Sequence, residues 1–298
     1  MKKTIPSLRI FAIILVVLIL SISCRFGSNT SAELQATQES LQSTQIALSV
    51  EQTVQAISVQ NSSNPAEQTE INTDSSSPEP NTVLQANATS TKFNGVEFEY
   101  PEYLFQDVQA EISTDGYDDF KFTDYVLTES NNNPAIMVYS THEMNKIDSI
   151  ANEIIPQLKT VLNTQPEHPE KLPFFPNWHA AQFTVMQVDY LTFENGKGVR
   201  YLTQYGQNYW PINNQSMFYT FQGITDDGKY YVSAIFPVSH PSLPQSGSDY
   251  SGDFSAMEND FDGYLSQIAN QINGQADDTF FPQLDHLDGI ITSLTIQK

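Results

Sequence analysis

The chain has 298 residues, 39% hydrophobic and 11% aromatic, and its 35 Asp and Glu against 13 Lys and Arg give a formal net charge of −22. From Lys92 onward 28 carboxylates stand against 9 basic side chains, a net −19, so the foldable part itself repels phosphate backbones and nucleic acid is not an expected partner. Cys24 is the only cysteine, which leaves the region after it without a disulfide, a zinc-thiolate cluster or a thiol nucleophile, and burial of the 18 Phe and 14 Tyr has to hold the fold.

The first element is an export leader. Lys2, Lys3 and Arg9 precede an unbroken apolar run, Ile10 to Leu20, which ends in the small residues Ser21 and Ser23. As a helix at ~1.5 Å per residue this run covers about 16 Å, roughly half of a ~30 Å hydrocarbon core, so cleavage is expected in place of permanent insertion. Leu20-Ser21-Ile22-Ser23-Cys24 resembles the lipobox of bacterial lipoproteins, although Ser21 stands where an aliphatic residue is usual and Ile22 where a small one is. The resemblance implies a signal peptide over 1–23 and diacylglycerol on Cys24, which would anchor the protein to a cell membrane or outer envelope on its extracytoplasmic side; the alternative is cleavage that leaves Cys24 unmodified. Acyl chains contribute ~0.8 kcal/mol per buried CH₂, so a multiply acylated cysteine holds firmly where a single chain does not.

Residues 24–60 then read as an anchor followed by a Gln-rich helical stalk. Leu34, Leu41 and Leu48 are seven apart, and Val50, Val54 and Ile57 continue after a change of phase. The companion positions are mostly Thr and Gln, so the stripe predicts weak self-association, with a solvated stalk as the alternative. Residues 61–91 lose periodicity, gather Asn, Ser, Pro and Thr, and contain Pro78-Glu79-Pro80, the composition of a flexible linker.

A single domain is expected over 92–298. Val96 to Tyr100 alternates apolar and polar residues before Pro101, and further strands are expected near Val108–Ile112, Tyr125–Thr128 and Ala135–Tyr139. Ile147, Ile150, Ile154, Leu158 and Leu162 predict an amphipathic helix over Lys146–Leu162, bent or split at Pro156. Two hairpins follow: Phe183–Phe193 with Val199–Tyr205 around Asn195-Gly196, and Phe218–Ile224 with Tyr230–Pro237 around Asp227-Gly228, these pairs supplying positive φ. A helix over Met257–Ile272, the apolar residues Leu284, Leu287 and Ile291, and a short strand near Leu294–Ile296 close the chain. The fold class is α+β, a twisted antiparallel sheet flanked by helices.

Two resemblances accompany this reading. Gly95-Val96-Glu97-Phe98-Glu99-Tyr100-Pro101 and Leu287-Asp288-Gly289-Ile290-Ile291-Thr292-Ser293-Leu294 resemble the ends of the PsbP and Mog1 type of domain, which implies a sheet sandwiched between helices and a binding or assembly scaffold. Leu172-Pro173-Phe174-Phe175-Pro176, Gly198 to Tyr205, Phe218 to Gly223 and Asp227 to Ser233 are similar to a family of uncharacterised bacterial secreted lipoproteins. That similarity implies export, a tether and one module, and no activity.

Site candidates are few. His142, His168, His179, His240 and His286 are dispersed without metal-ligand spacing, and His240-Pro241-Ser242-Leu243-Pro244 lacks a glycine-flanked nucleophile, so it reads as a rigid loop. Asp249, Asp253 and Asp260 lie in an acidic stretch that could hold calcium, yet Phe254 stands where an EF-hand loop needs glycine, and the alternative is acids at the start of a helix. Asp115, Asp118 and Asp119 form a weaker acidic group. Trp178, Tyr209, Trp210 and Asn213 sit in loops where aromatic rings meet prolines and amides, a combination suited to stacking a sugar or seating an extended peptide; capping of the sheet's end is the structural alternative. Arg200, the only arginine after Lys92, is expected to pair with a carboxylate. The function expected is therefore a noncatalytic module that binds a protein, peptide or glycan at the cell envelope. Its rivals are a hydrolase using paired carboxylates and a structural protein whose stalk assembles copies at the membrane.

Overall fold

The computed structural model describes residues 88–298. Cys24 and the expected leader and stalk, with the expected linker up to residue 87, lie outside the described residues. Two antiparallel sheets and helices build an α+β architecture. Among the described residues, no helix is long and apolar enough to cross a membrane.

The smaller, three-stranded sheet opens the fold. β1 (Ala88–Phe93) and β2 (Val96–Pro101) form a tight hairpin, and β10 (Thr295–Ile296) pairs with the other edge of β2. Residues 88–91, expected in the linker, therefore belong to a strand. The signal was Asn94-Gly95, whose φ values of 47° and 78° suit a two-residue hairpin turn. Gly95 is also needed for space, since a Cβ there would stand 2.3 Å from the Gln297 carbonyl oxygen.

The larger sheet has seven strands in the order β3-β4-β5-β9-β8-β7-β6, with every neighbouring pair antiparallel. These are β3 (Asp107–Ile112), β4 (Asp118–Thr123), β5 (Ala135–Ser140), β6 (Ala181–Phe193), β7 (Gly196–Gly206), β8 (Phe218–Thr225) and β9 (Tyr230–Pro237). The strand expected at Tyr125–Thr128 is instead β4. Its alternating Phe120 and Phe122 face the core, and its acidic start is tolerated because Lys298 and Asn94 hold Asp118 while Lys121 lies 3.4 Å from Asp119. In the β6–β7 turn the expected positive φ at Asn195-Gly196 is not used. Gly196 is required there because a Cβ would meet the Phe193 ring at 2.1 Å and the Ile224 carbonyl oxygen at 2.6 Å. The β8–β9 turn does use it, with Gly228 at φ 71°.

Alternation along the central strands builds two cores. Tyr219, Phe221, Val232, Ala234 and Phe236 point to one side, where they meet β2 and the C-terminal helices; Phe218, Ile224, Tyr231 and Ile235 point to the other. On the first side lie α4 (Phe261–Asn273) and α5 (Leu284–Thr292), the latter inserting Leu284, Leu287, Ile290 and Ile291. On the second lie α1 (Met144–Ile147) and α2 (Ala151–Thr164), with Ile154, Leu158 and Leu162 on the inner face of α2. At ~1.5–3 kcal/mol per fully buried apolar side chain, these faces and not helix propensity hold the helices in place.

Both long helices expected from periodicity break, and neither breaks at proline. Pro156 sits inside α2, which continues past it; the interruption falls at Asp148, whose backbone is extended and whose Oδ1 accepts the Ile150 N–H at 3.0 Å. The helix expected at Met257–Ile272 divides at Asp260 into α3 (Phe254–Asn259) and α4, with the Asp260 carboxylate capping the Gly263 N–H at 3.1 Å.

Candidate functional site

The segment before β6 is fastened to the sheet by a buried polar cluster. Gln222 in β8 accepts the Phe175 N–H at 3.1 Å and the Tyr231 hydroxyl at 2.5 Å, and its Nε2 donates to Thr220 and Ser233; Ser233 donates to the Phe175 carbonyl at 2.6 Å. Tyr201 donates to the Pro173 carbonyl at 2.9 Å. Every buried side-chain nitrogen and oxygen among the described residues has a partner, so this cluster acts as a rigid clamp and not as a reservoir of unmet polarity.

The clamp positions Trp178. Phe174, Tyr205 and Phe218 surround its ring, with centroids 4.9, 5.6 and 5.0 Å away, two of them edge-on. Asn177 fixes the loop from both ends of its amide: Nδ2 donates to Asp148 Oδ2 at 3.1 Å, and Oδ1 accepts the His179 N–H at 3.1 Å. The half-buried Trp178 therefore stands in one orientation, with part of its surface open to solvent.

That surface borders a groove of about 650 Å³ between α2 and the segment Lys171–Gln182. Phe174, Trp178 and Tyr205 form its aromatic wall, Ile154 and Val161 of α2 face them, and Gln157 lies on the rim. No Asp or Glu lines it, and Lys171 is the one charged residue that does. In a domain of net −19 this is an aromatic surface free of carboxylates, bordered by amides and one lysine, of a size typical for ligand sites. Burial pushes the Tyr205 hydroxyl above its ordinary range, against a hydrogen bond from Gln182 that pulls it down, so at neutral pH it is an uncharged partner.

The other expected ligand residues lie elsewhere. Trp210 is 43% exposed, but its indole rests on Gly247, where an added Cβ would fall 1.8 Å from Nε1, and its ring faces Phe254 at 6.0 Å. Tyr209 packs on Phe261 at 4.9 Å. These two rings cover α3, α4 and the loop before them, and neither borders the Trp178 groove. Asn213 is buried and fully engaged: Nδ2 donates to the Pro211 carbonyl at 2.8 Å and Oδ1 accepts the Ser216 N–H at 3.1 Å. It is a turn-holding amide with no free edge for a ligand.

The three carboxylates expected to hold calcium are each engaged by groups close to them in the chain. Asp249 accepts the Ser246 N–H and hydroxyl, Asp253 caps the Ser255 and Ala256 N–H groups, and Asp260 caps Gly263. Each carboxylate serves its own turn or helix start, the alternative that acids at N-termini suggested. Among the described residues, no group of three or more His, Cys, Asp or Glu side chains is placed to hold a metal ion.

His240 and Ser242 do meet, at 2.7 Å between Nδ1 and Oγ. Nδ1 also accepts the Ser242 N–H at 3.2 Å, while Nε2 reaches Thr279 Oγ1 at 3.2 Å, so the buried imidazole ties two turns together. Burial lowers its proton affinity. Arg200 pairs with carboxylates as expected: Nε and Nη2 reach Asp288 at 3.2 and 2.9 Å, Nη1 donates to the Gln187 carbonyl at 2.7 Å, and Tyr219 donates to Asp288 at 2.8 Å. This buried unit fastens α5 to the sheet.

Sequence reasoning missed Tyr205 and Gln157 as site residues. Tyr205 was recoverable, because odd positions of β7 put it on the face of Val199 and Tyr201, toward α2. Gln157 was not, since its relevance depends on which segment packs beside α2. Neither the family models nor the curated proteins compared with this chain match it.

Proposed function

We propose that the protein is a noncatalytic binding module, tethered through Cys24 to the outer side of a membrane, whose ligand occupies the groove at Trp178. The observation that carries this reading is the groove itself: a pre-formed aromatic wall without carboxylates in a strongly acidic domain. Such a wall favours flat, uncharged partners, a sugar ring or an extended apolar peptide, and rejects neither for lack of charge. The tether rests on the leader and on Cys24. The layered arrangement of helices on a central sheet supports a PsbP and Mog1 type of scaffold, and the similarity to secreted lipoproteins is consistent with export.

The test is a thermal-shift and calorimetric screen of the protein against neutral oligosaccharides and short apolar peptides. Binding is expected to be lost in Trp178→Ala, weakened in Trp178→Phe and retained in Trp210→Ala, with circular dichroism confirming that each variant is folded. Wild-type affinity in both Trp178 variants would remove the groove from the function. The tether is tested separately by intact mass of the mature protein. Diacylglycerol on an N-terminal Cys24 is expected, and a retained Met1 would refute the anchor.

A further inference from the structure

Resting on that reading, we infer that the ligand is a linear, uncharged oligosaccharide that crosses Trp178 and lies in grooves on both sides of it. A second groove of about 610 Å³ adjoins the first, and Trp178 is the one residue lining both. Its other walls come from β4, β5, the Asn131–Pro134 loop, Pro176 and Ile235 of β9. The two charges that line it, Lys121 and Asp119, lie 3.4 Å apart, and Lys121 also pairs with Glu111 at 2.5 Å, so the second groove presents no lone charge, while Lys171 is the one charge on the first.

Each groove carries an exposed side-chain amide with no hydrogen bond to protein among the described residues, Gln157 in the first and Asn133 in the second. The neighbouring amides differ from them. Asn131 and Asn132 donate to Ser216, Asn177 to Asp148, and Gln182 to Leu172 and Tyr205. A rigid aromatic ring between two free amides, with no carboxylate lining the first groove and a lysine beside the one that lines the second, suits a chain of sugar rings: one ring stacks on Trp178 and hydroxyls on either side reach an amide that both donates and accepts. An extended peptide would instead need an open strand edge to satisfy its backbone. The second groove offers none, being walled by loops and the inner strands β4, β5 and β9, whose edges are already paired; the first reaches an outer strand only at Ala181 and Gln182 of β6.

The experiment is calorimetry of the whole protein with β-1,4-linked oligomers of glucose, xylose and N-acetylglucosamine, two and six rings long. One six-ring oligomer is expected to bind at least tenfold more tightly than its two-ring counterpart. Gln157→Ala and Asn133→Ala, both exposed and harmless to folding, are each expected to weaken the six-ring oligomer by about 2- to 13-fold, the range for one net hydrogen bond. Equal affinity for both lengths, wild-type affinity in both amide variants, or no saturable binding by any series would overturn the inference. Apolar peptides that bind in a Trp178-dependent manner while all sugars fail would overturn it and leave the groove's function standing. Ligands that bind independently of Trp178 would overturn both.

Discussion

Removing Arg200 should expose how much of the fold depends on one buried ion pair. The guanidinium is 3% exposed and the Asp288 carboxylate 15%, and the two meet side-on through two hydrogen bonds. Arg200→Met leaves Asp288 with the Tyr219 hydroxyl as its remaining donor and the Gln187 carbonyl without the Nη1 donor. Breaking a buried pair by deleting one partner costs ~3–5 kcal/mol, whereas the pairs with Asp277 and Asp189, 3.4 and 3.8 Å away and about half exposed, add at most ~1 kcal/mol. At ~2–4 °C per kcal/mol for a domain of this size, Tm should fall by about 6–20 °C.

The loss should also depend on pH. Burial lifts the Asp288 carboxyl to about 6, against the opposing pull of Arg200. Between its ordinary value of 3.8 and about 6 the folded protein therefore holds a proton that the unfolded chain has released, and stability declines as pH rises through that window. Without Arg200 the carboxyl rises further and the decline extends above pH 6, so the variant's deficit should be larger at pH 8 than at pH 5. Urea unfolding followed by circular dichroism at both pH values measures it, and Arg200→Met with Asp288→Leu should recover most of the deficit. A single-variant loss under about 1 kcal/mol at pH 8, or a double variant no better than the single, would refute the assignment.

Other consequences are simpler to read. The exposed Asp227 carboxyl is held down to about 2 by Lys229, first through its side chain and then through its N–H, and by the Thr225 hydroxyl. Its contribution to the β8–β9 hairpin is thus complete above its ordinary 3.8 and lost as pH falls through about 2, and carbon-detected carboxyl titration should find that midpoint. Gly228→Ala has open space around the new Cβ but keeps φ at 71°, so it should cost ~1–2 kcal/mol in urea unfolding, with Gly228→Asn clearly milder. Asp253→Ala removes the cap of α3 and should cost ~0.5–2 kcal/mol, while millimolar calcium should leave the Tm of the wild-type protein unchanged; a saturable calcium shift lost in that variant would restore the metal reading.

The strands and the direction of their faces were legible from local pattern, because a period of two along β8 and β9 is a property of neighbouring residues. Phe218 and Tyr231 take one side, Phe221 and Val232 the other. Turn chemistry was partly legible. Gly228 has the left-handed backbone its Asp-Gly pair suggested, whereas Gly196 is a glycine because the Phe193 ring and the Ile224 carbonyl leave no room for a Cβ, a fact of packing across strands. The helix breaks were misplaced at Pro156 and missed at Asp148 and Asp260. Pro156 lies inside α2, which runs on to Thr164 because Ile154, Leu158 and Leu162 hold it to the sheet, while an aspartate that accepts backbone N–H groups ends one helix or begins the next.

By itself the sequence determined the apolar run Ile10 to Leu20, the single cysteine at position 24, the acidic charge and the α+β class, since each follows from composition or from short-range order. Only the tertiary structure decided that Trp178 and Trp210 serve different surfaces, that Asn213 is a buried turn amide, and that Asp249, Asp253 and Asp260 each cap a separate backbone segment. The reason is distance along the chain: Gln157, Trp178 and Tyr205 border one groove because β7 pairs beside β8 and the Phe175 segment docks on Gln222, contacts between residues too far apart in sequence for any local pattern to encode.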